Sequence, residues 1–274
     1  MELTERDIEI LRHVGRHRFL RSTHILDLVP GSRQNILRRL QLLFHNGYLE
    51  RPRAQVAPYH WEGTKPFACC LGKKGAELLL CVDKRSYVAP DLSAKSLFLD
   101  HALMVSEILV SLEKRLKDTE TRFVFGDELI RSLPPHAQRR KRPFAWNVAI
   151  PRKTEHVIVS VQPDAVFALR SASGPVFYFL EADRGTMPIK RKTLDQTSLY
   201  RKLLAYSHSW ERRIPAVRLG ILRFRVLILS YSESRVGRIN ILTKQIRPST
   251  LFINYAHGQF LTLSDPTRLL LNTS

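Results

Sequence analysis

The chain has 274 residues, of which 44% are hydrophobic and 25% charged, a composition typical of a globular protein with one large or two modest domains. It contains no apolar run long enough to span a membrane, and its first residues are charged, so we expect a cytoplasmic protein without a membrane partner. Lysine and arginine total 44 against 25 aspartate and glutamate, a net charge of +19. Such an excess favours a polyanionic partner, although a basic surface can also serve solubility alone.

The first 82 residues combine helical periodicity with short strand-like runs. Thr4 and Asp7 form a capping-box pattern that opens the first helix, and Asn46-Gly47 ends the third. The patterns predict helices at about 5–16, 22–29, 33–46 and 73–80, and strands at 48–51 and 67–71. This order predicts a winged helix-turn-helix domain over residues 1–82, with the segment 51–65 as its wing.

The third predicted helix separates apolar from polar residues. If Ile36, Leu40 and Leu43 point inward, a rotation of about 100° per residue turns the polar side chains outward. Arginine, glutamine and asparagine read base edges and phosphates when such a helix lies in the major groove of double-stranded DNA. The candidate DNA-binding residues of this helix and of the wing are Arg33, Gln34, Asn35, Arg38, Arg39, Arg51, Arg53 and Lys65. The alternative is a helical subdomain that makes protein contacts only.

Residues 82–96 have the composition of a linker, and a second domain is predicted over 97–256. The periodicity predicts helices at 97–117, 190–210 and 234–244, and strands at 121–125, 157–161, 165–169, 176–180, 225–230 and 251–254. The chain as a whole is therefore predicted to be α+β, with a central mixed sheet flanked by helices in its second domain.

Acidic residues lie at the ends of two of these predicted strands. Asp164 stands between two apolar runs, and Glu181-Ala182-Asp183 ends the next apolar strand. Carboxylates at adjacent strand ends can converge on a divalent ion such as Mg²⁺. An aspartate followed by Glu-x-Lys on a hairpin is the arrangement of restriction-endonuclease-like nucleases. The candidate catalytic residues are therefore Asp164, Glu181 and Asp183, with Asp164 and Glu181 as metal ligands.

Asp183 occupies the position where such nucleases carry a lysine, and this leaves three interpretations open. The domain is nuclease-like but inactive; or Lys190 or Lys192 supplies the amine of an active enzyme; or the two candidate metal ligands form strand-end salt bridges with Arg184 or Lys192. DNA binding itself requires no cofactor in any of these interpretations.

A dense basic run follows a proline pair in the second half of the chain. It consists of Arg139, Arg140, Lys141 and Arg142. Residues 1–82 hold 13 basic and 8 acidic side chains, and residues 83–274 hold 31 and 17, so the positive excess is present in both halves. We expect the run either to bind phosphate groups or to form a solvated loop.

Several segments resemble the replication-relaxation family, over about residues 3–230. They are Leu3–Asp7, Leu71–Ala76, Asp100–Leu103, Pro163–Ala165 and, most specifically, Glu181–Thr186 ahead of a helix that ends near Tyr206. The resemblance implies a DNA-binding protein of a bacterial plasmid or mobile element. Its role would be in replication, mobilisation or transcriptional control, beside a relaxase or replication protein, and its nuclease-like domain would be inactive. The alternative is a metal-dependent DNA endonuclease targeted by its winged helix. Because many winged-helix proteins bind two-fold sites, we also expect a homodimer.

Overall fold

The computed structural model describes residues 1–55, 66–84, 87, 96–152 and 155–266. The chain forms two compact units, Met1–Lys114 and Arg115–Ser274. The boundary between them falls inside the helix Ser96–Leu116, which the sequence placed in the second domain. Most of the predicted linker, residues 82–96, lies outside the described residues. Most of the helix belongs to the first unit because Val110 lies in that unit's core and Lys114 forms an ion pair with Asp27 at 2.5 Å.

The first unit consists of helices around a small sheet. In chain order its elements are α1 (Glu5–His17), β1 (Leu20–Arg21), α2 (Ser22–Leu28), α3 (Arg33–His45), β2 (Leu49–Glu50), β3 (Ala68–Leu71), α4 (Lys73–Asp83) and α5 (Ser96–Leu116). The sheet has the order β1-β3-β2, and both pairs are antiparallel. The two-residue strand β1 was not predicted, because so short a segment shows no period of two.

Local capping explains where α1 and α3 begin. The Thr4 backbone N–H donates to the Asp7 carboxylate at 2.7 Å, and the Asp7 backbone N–H donates to the Thr4 hydroxyl at 3.4 Å. This confirms the predicted capping box. The Ser32 hydroxyl accepts from the Asn35 backbone N–H at 3.3 Å and fixes the start of α3. The helix ends at His45, and Gly47, two residues later, has a positive φ of 77°.

Apolar side chains of α1 and α3 belong to the same core cluster of the first unit. Their fully buried side chains are Ile10, Leu11, Val14, Ile36, Leu40 and Leu43. The inward side of α3 is therefore the side predicted from its periodicity, and the opposite side is left for other contacts.

The second unit has a central mixed sheet, as predicted. Its elements are β4 (Arg122–Phe125), α6 (Gly126–Arg131), α7 (Pro135–Gln138), β5 (Trp146–Arg152), β6 (Glu155–Val161), β7 (Ala165–Ser171), β8 (Gly174–Asp183), α8 (Leu199–Glu211), α9 (Ile214–Leu219), β9 (Phe224–Ser230), α10 (Glu233–Lys244), β10 (Phe252–Ala256) and α11 (His257–Thr262). The sheet has the order β10-β9-β8-β7-β4; β8, β9 and β10 run parallel, while β7 is antiparallel to both of its neighbours. Strands β5 and β6 form a separate antiparallel pair.

Helix α8 packs against β8, where the Tyr206 ring stacks on Phe179, and starts later than the sequence predicted. The backbone N–H groups of Leu199 and Tyr200 donate to the carbonyls of Pro188 and Ile189 at 2.9 and 2.8 Å, and Ser198 caps the helix. Residues 190–198, which were predicted as helical, therefore lead up to α8 without joining it. None of the described helices combines the length and apolar character needed to cross a membrane.

Candidate nucleic-acid interface and acidic cluster

The outer side of α3 carries polar and basic side chains at the surface of the first unit. All four predicted base- or phosphate-contacting residues at its start and middle are exposed: Arg33, Gln34, Asn35 and Arg38. Gln41 extends the same exposed side by one turn. Because the apolar stripe of the helix is fully buried in the core, these polar side chains are available to a ligand.

Arg39, the fifth candidate on α3, is engaged within the protein. Its guanidinium donates to both carboxylate oxygens of Asp7, with Nε at 2.8 Å from Oδ1, and Nη2 donates to the Glu2 carbonyl at 3.1 Å. The Asp7 side chain is fully buried. Burial alone would raise the pKa of Asp7, but hydrogen bonds from Arg39 and Thr4 lower it overall. Arg39 therefore links α3 to the start of α1. These contacts within the protein replace the DNA contact that the sequence predicted for it.

The predicted wing residues have different environments. The Arg51 guanidinium lies 4.4 Å from the ring centroids of both Phe44 and Phe67, so it is sandwiched between two aromatic side chains. This packing covers the planar faces of the guanidinium, whereas a phosphate is bound through its in-plane N–H groups, so the phosphate contact of Arg51 stays a prediction. Arg53 is exposed, while Lys65 lies outside the described residues.

The predicted acidic residues lie at one end of β7 and β8 in the second unit. The Asp164 backbone N–H donates to the Leu180 carbonyl at 3.0 Å, and its carboxylate accepts from the Ala182 backbone N–H at 2.8 Å. Glu181 is only 4% exposed. The pairing of the two strands therefore brings Asp164 beside Glu181, as the hairpin pattern predicted.

Glu181 receives hydrogen bonds from two side chains of α8 that sequence reasoning missed. The Lys202 ammonium donates to Oε2 and the Tyr206 hydroxyl to Oε1. Residues four apart share one face of a helix, so the spacing of Lys202 and Tyr206 is a usable signal once α8 is known to pack on β8. The predicted sources of an amine lie elsewhere: Lys190 stands 5.0 Å from the Tyr200 ring and Lys192 is exposed.

Burial dominates the ionisation of this cluster. It raises the pKa of Glu181 to about 7, because removal from water and the nearby charge of Asp164 outweigh the opposing effect of Lys202. For Lys202, burial lowers the pKa, but the negative charges of Glu181 and Asp164 raise it overall. Lys202 is therefore an ammonium group at neutral pH, held against a carboxyl group that titrates near neutrality.

Asp183 has a separate set of partners. The Arg235 guanidinium of α10 donates to both of its carboxylate oxygens, with Nη2 at 2.9 Å from Oδ1, and the Ser230 hydroxyl donates at 2.9 Å. Arg235 also donates to the Met187 carbonyl. This arrangement anchors the end of β8 to α10 and differs from the catalytic role predicted for Asp183.

The residues around Glu181 do not fit the Mg²⁺ ion that the sequence suggested. Both of its carboxylate oxygens accept hydrogen bonds, and the Lys202 ammonium already supplies the positive charge at Oε2. A metal ion there would have to displace the ammonium and overcome its repulsion. The salt-bridge interpretation agrees with this geometry, with Lys202 as the partner in place of Arg184 or Lys192.

The predicted basic run follows α7 at the surface of the second unit. All of its members, Arg139, Arg140, Lys141 and Arg142, are exposed. Arg142 donates to the Gln162 side chain at 3.3 Å. The run thus presents a concentrated positive charge to solvent.

The family described as replication-relaxation matches residues 11–217. No curated protein matches the chain. A solved structure titled "Structure of SdaI restriction endonuclease" is similar over 88% of this chain and 78% of that one, at 11% identity and a TM-score of 0.20. So low a TM-score carries no argument about either unit.

Proposed function

Since the chain belongs to the replication-relaxation family, we propose that it binds double-stranded DNA through α3 in support of plasmid or mobile-element replication. The observation that carries this proposal is the exposed row of Arg33, Gln34, Asn35 and Arg38 on a helix whose other side is fully buried. The element order of three helices and an antiparallel sheet supports a winged helix-turn-helix, in which α3 enters the major groove. The net charge of +19 supports the same choice of ligand.

The test is Arg38→Gln in the full chain, measured by fluorescence anisotropy at fixed salt. The duplex is first selected from random oligonucleotides by the wild-type protein. We expect binding to weaken by about 1–3 kcal/mol, the usual effect of losing an arginine that reads a base. Lys73→Gln is the matched control, because Lys73 is an exposed base on α4 of the same unit. If both variants lost the same affinity for the duplex, the loss would follow from the change in net charge alone. That result would refute a specific role for α3.

We further propose that the second unit is a nuclease-like domain that does not cleave. The support is the Lys202 ammonium on Glu181 and the engagement of Asp183 by Arg235, which leave no ready divalent site among these acids. Plasmid incubated with the protein and Mg²⁺ or Mn²⁺ should stay intact. Cleavage that disappears in Asp164→Ala would establish the alternative, a metal-dependent endonuclease. The homodimer and the relaxase or replication-protein partner stay predictions.

A further inference from the structure

A second group of metal-ligating side chains lies in the first unit, apart from the exposed face of α3. It consists of His13 and His17 on α1 and Glu113 on α5. One ligand atom from each residue lies within 4.8 Å of the other two, and His17 Nε2 is 3.2 Å from Glu113 Oε2. The histidines are four residues apart, so both rings project from one face of α1 toward α5. In the sequence the pair appears as His13-Val-Gly-Arg-His17.

Two imidazoles and one carboxylate form a donor set suited to a divalent first-row transition metal. With metal–ligand bonds of about 2.0–2.1 Å, ligand atoms around a tetrahedral Zn²⁺ lie roughly 3.3–3.4 Å apart. The 3.2 Å separation of His17 and Glu113 is already near this value. The other separations between ligand atoms of the group do not exceed 4.8 Å.

The Arg16 side chain of α1 orients the carboxylate of this group. Arg16 donates to Glu113 Oε1 at 2.9 Å, which orients the carboxylate with Oε2 toward His17.

We propose that His13, His17 and Glu113 bind one divalent transition-metal ion, best matched by Zn²⁺, that links α1 to α5. The Glu113 side chain is 20% exposed and His13 is half-buried, so an ion can enter and a water can complete its coordination. The ion would brace the first helix of the proposed DNA-binding unit. The proposal stands on the geometry of this group and does not depend on whether α3 binds DNA.

The experiment uses the full chain after removal of metals with a chelator. Equilibrium dialysis against Zn²⁺ with elemental analysis should find one ion per chain. At free Zn²⁺ of about 100 times the Kd, the unfolding equilibrium should shift by about 100-fold toward the folded state. His13→Gln and Glu113→Gln should lose both effects. His45→Gln, which removes an exposed histidine from α3, and Glu181→Gln, which alters the acidic cluster of the second unit, should keep both.

Two results would overturn the proposal. One is failure of the wild-type chain to bind Zn²⁺, which would leave the group as a hydrogen-bonded ion pair. The other is equal Zn²⁺ binding by His13→Gln, which would place the ion elsewhere. Should the variants unfold, Co²⁺ in the wild-type chain provides an independent measurement. We expect the visible absorption of four- or five-coordinate Co²⁺, and the weak spectrum of the hexa-aqua ion would contradict the site.

Discussion

At the scale of single residues, two adjacent arginines of α3 have different environments. Arg38 and Arg39 both belong to α3 and both were predicted to contact DNA. A rotation of about 100° along the helix separates a solvent-exposed guanidinium from one that neutralises the buried Asp7. Residue type alone therefore does not distinguish a candidate DNA contact from a residue that stabilises the fold; the partner of each guanidinium does.

Arg39→Gln should destabilise the first unit, whereas Arg38→Gln should not. Loss of Arg39 leaves the buried Asp7 carboxylate without its charged partner, which we expect to cost about 2–4 kcal/mol in urea unfolding at pH 7. Because the folded pKa of Asp7 lies below its ordinary 3.8, the ion pair stabilises the protein above that pH. The difference between wild type and Arg39→Gln should shrink as the pH falls below about 4. A stable Arg39→Gln variant would contradict the assignment.

Glu181→Gln should alter the pH dependence of stability. The folded pKa of about 7 lies above the ordinary 4.5, so the folded state retains a proton that the unfolded state has lost between these values. Wild-type stability from this group is then complete below pH 4.5 and is lost as the pH rises toward 7, by about 1.4 kcal/mol per unit. A glutamine side chain cannot titrate, so unfolding curves of Glu181→Gln at pH 4.5 to 7 should lack this slope. An unchanged slope would exclude Glu181 as its source.

At the scale of elements, two glycines in helices differ in the space available for a side chain. A Cβ at Gly75 in α4 would lie 2.2 Å from the Tyr48 carbonyl oxygen, so the absence of a side chain allows α4 to approach the residue before β2. A Cβ at Gly237 in α10 would have no atom of the described residues within 4 Å. The same residue type is thus required by packing in one helix and unneeded in the other.

Gly75→Ala should destabilise the protein by about 1–3 kcal/mol or more, since backbone must move to admit the methyl group. Gly237→Ala should stabilise it by about 0.5–1 kcal/mol, because alanine loses less conformational freedom in a helix. Thermal unfolding of both variants compares the two directly. A neutral Gly75→Ala would mean that α4 does not approach Tyr48 so closely.

Long elements with a buried stripe were predictable, and short or contact-dependent ones were not. The periodicity of α1 and α3 and the caps at Thr4 and Ser32 lie within one helical turn, so sequence shows them. Helices of four to six residues, such as α6 and α7, are too short for a period to stand out. Strand β5 alternates buried and exposed residues. It was not predicted because it begins just after the basic run, a segment with the composition of a loop.

The site was predictable only where it depends on strand pairing. Asp164 and Glu181 meet because β7 and β8 are consecutive antiparallel strands, which a hairpin pattern anticipates. Lys202 was missed because its contact depends on how α8 lies on the sheet, and no local pattern encodes that packing. Sequence proximity alone favoured Lys190 and Lys192, the lysines nearest the motif, as the source of the amine.

At the scale of the whole molecule, the positive charge is spread over both units. The first unit offers Arg33 and Arg38 on α3, and the second offers the exposed run 139–142. Affinity for a duplex depends on salt through the number of phosphates that are neutralised, with a slope of about −0.9 for each. The salt slope therefore tests whether residues of the second unit also contact the phosphates of the duplex. Affinity at a single salt concentration cannot test this.

Replacing Arg139, Arg140, Lys141 and Arg142 by glutamine should reduce the salt slope by about 3–4 if all four neutralise phosphates. The matched control replaces four exposed bases from other parts of the second unit, Lys117, Arg212, Arg238 and Lys244. Both variants lose four charges, so a long-range effect of net charge changes them equally. We predict a reduced slope in the first variant alone, measured by anisotropy from about 50 to 200 mM salt, the range where such contacts dominate. Equal slopes in the two variants would confine DNA binding to the first unit.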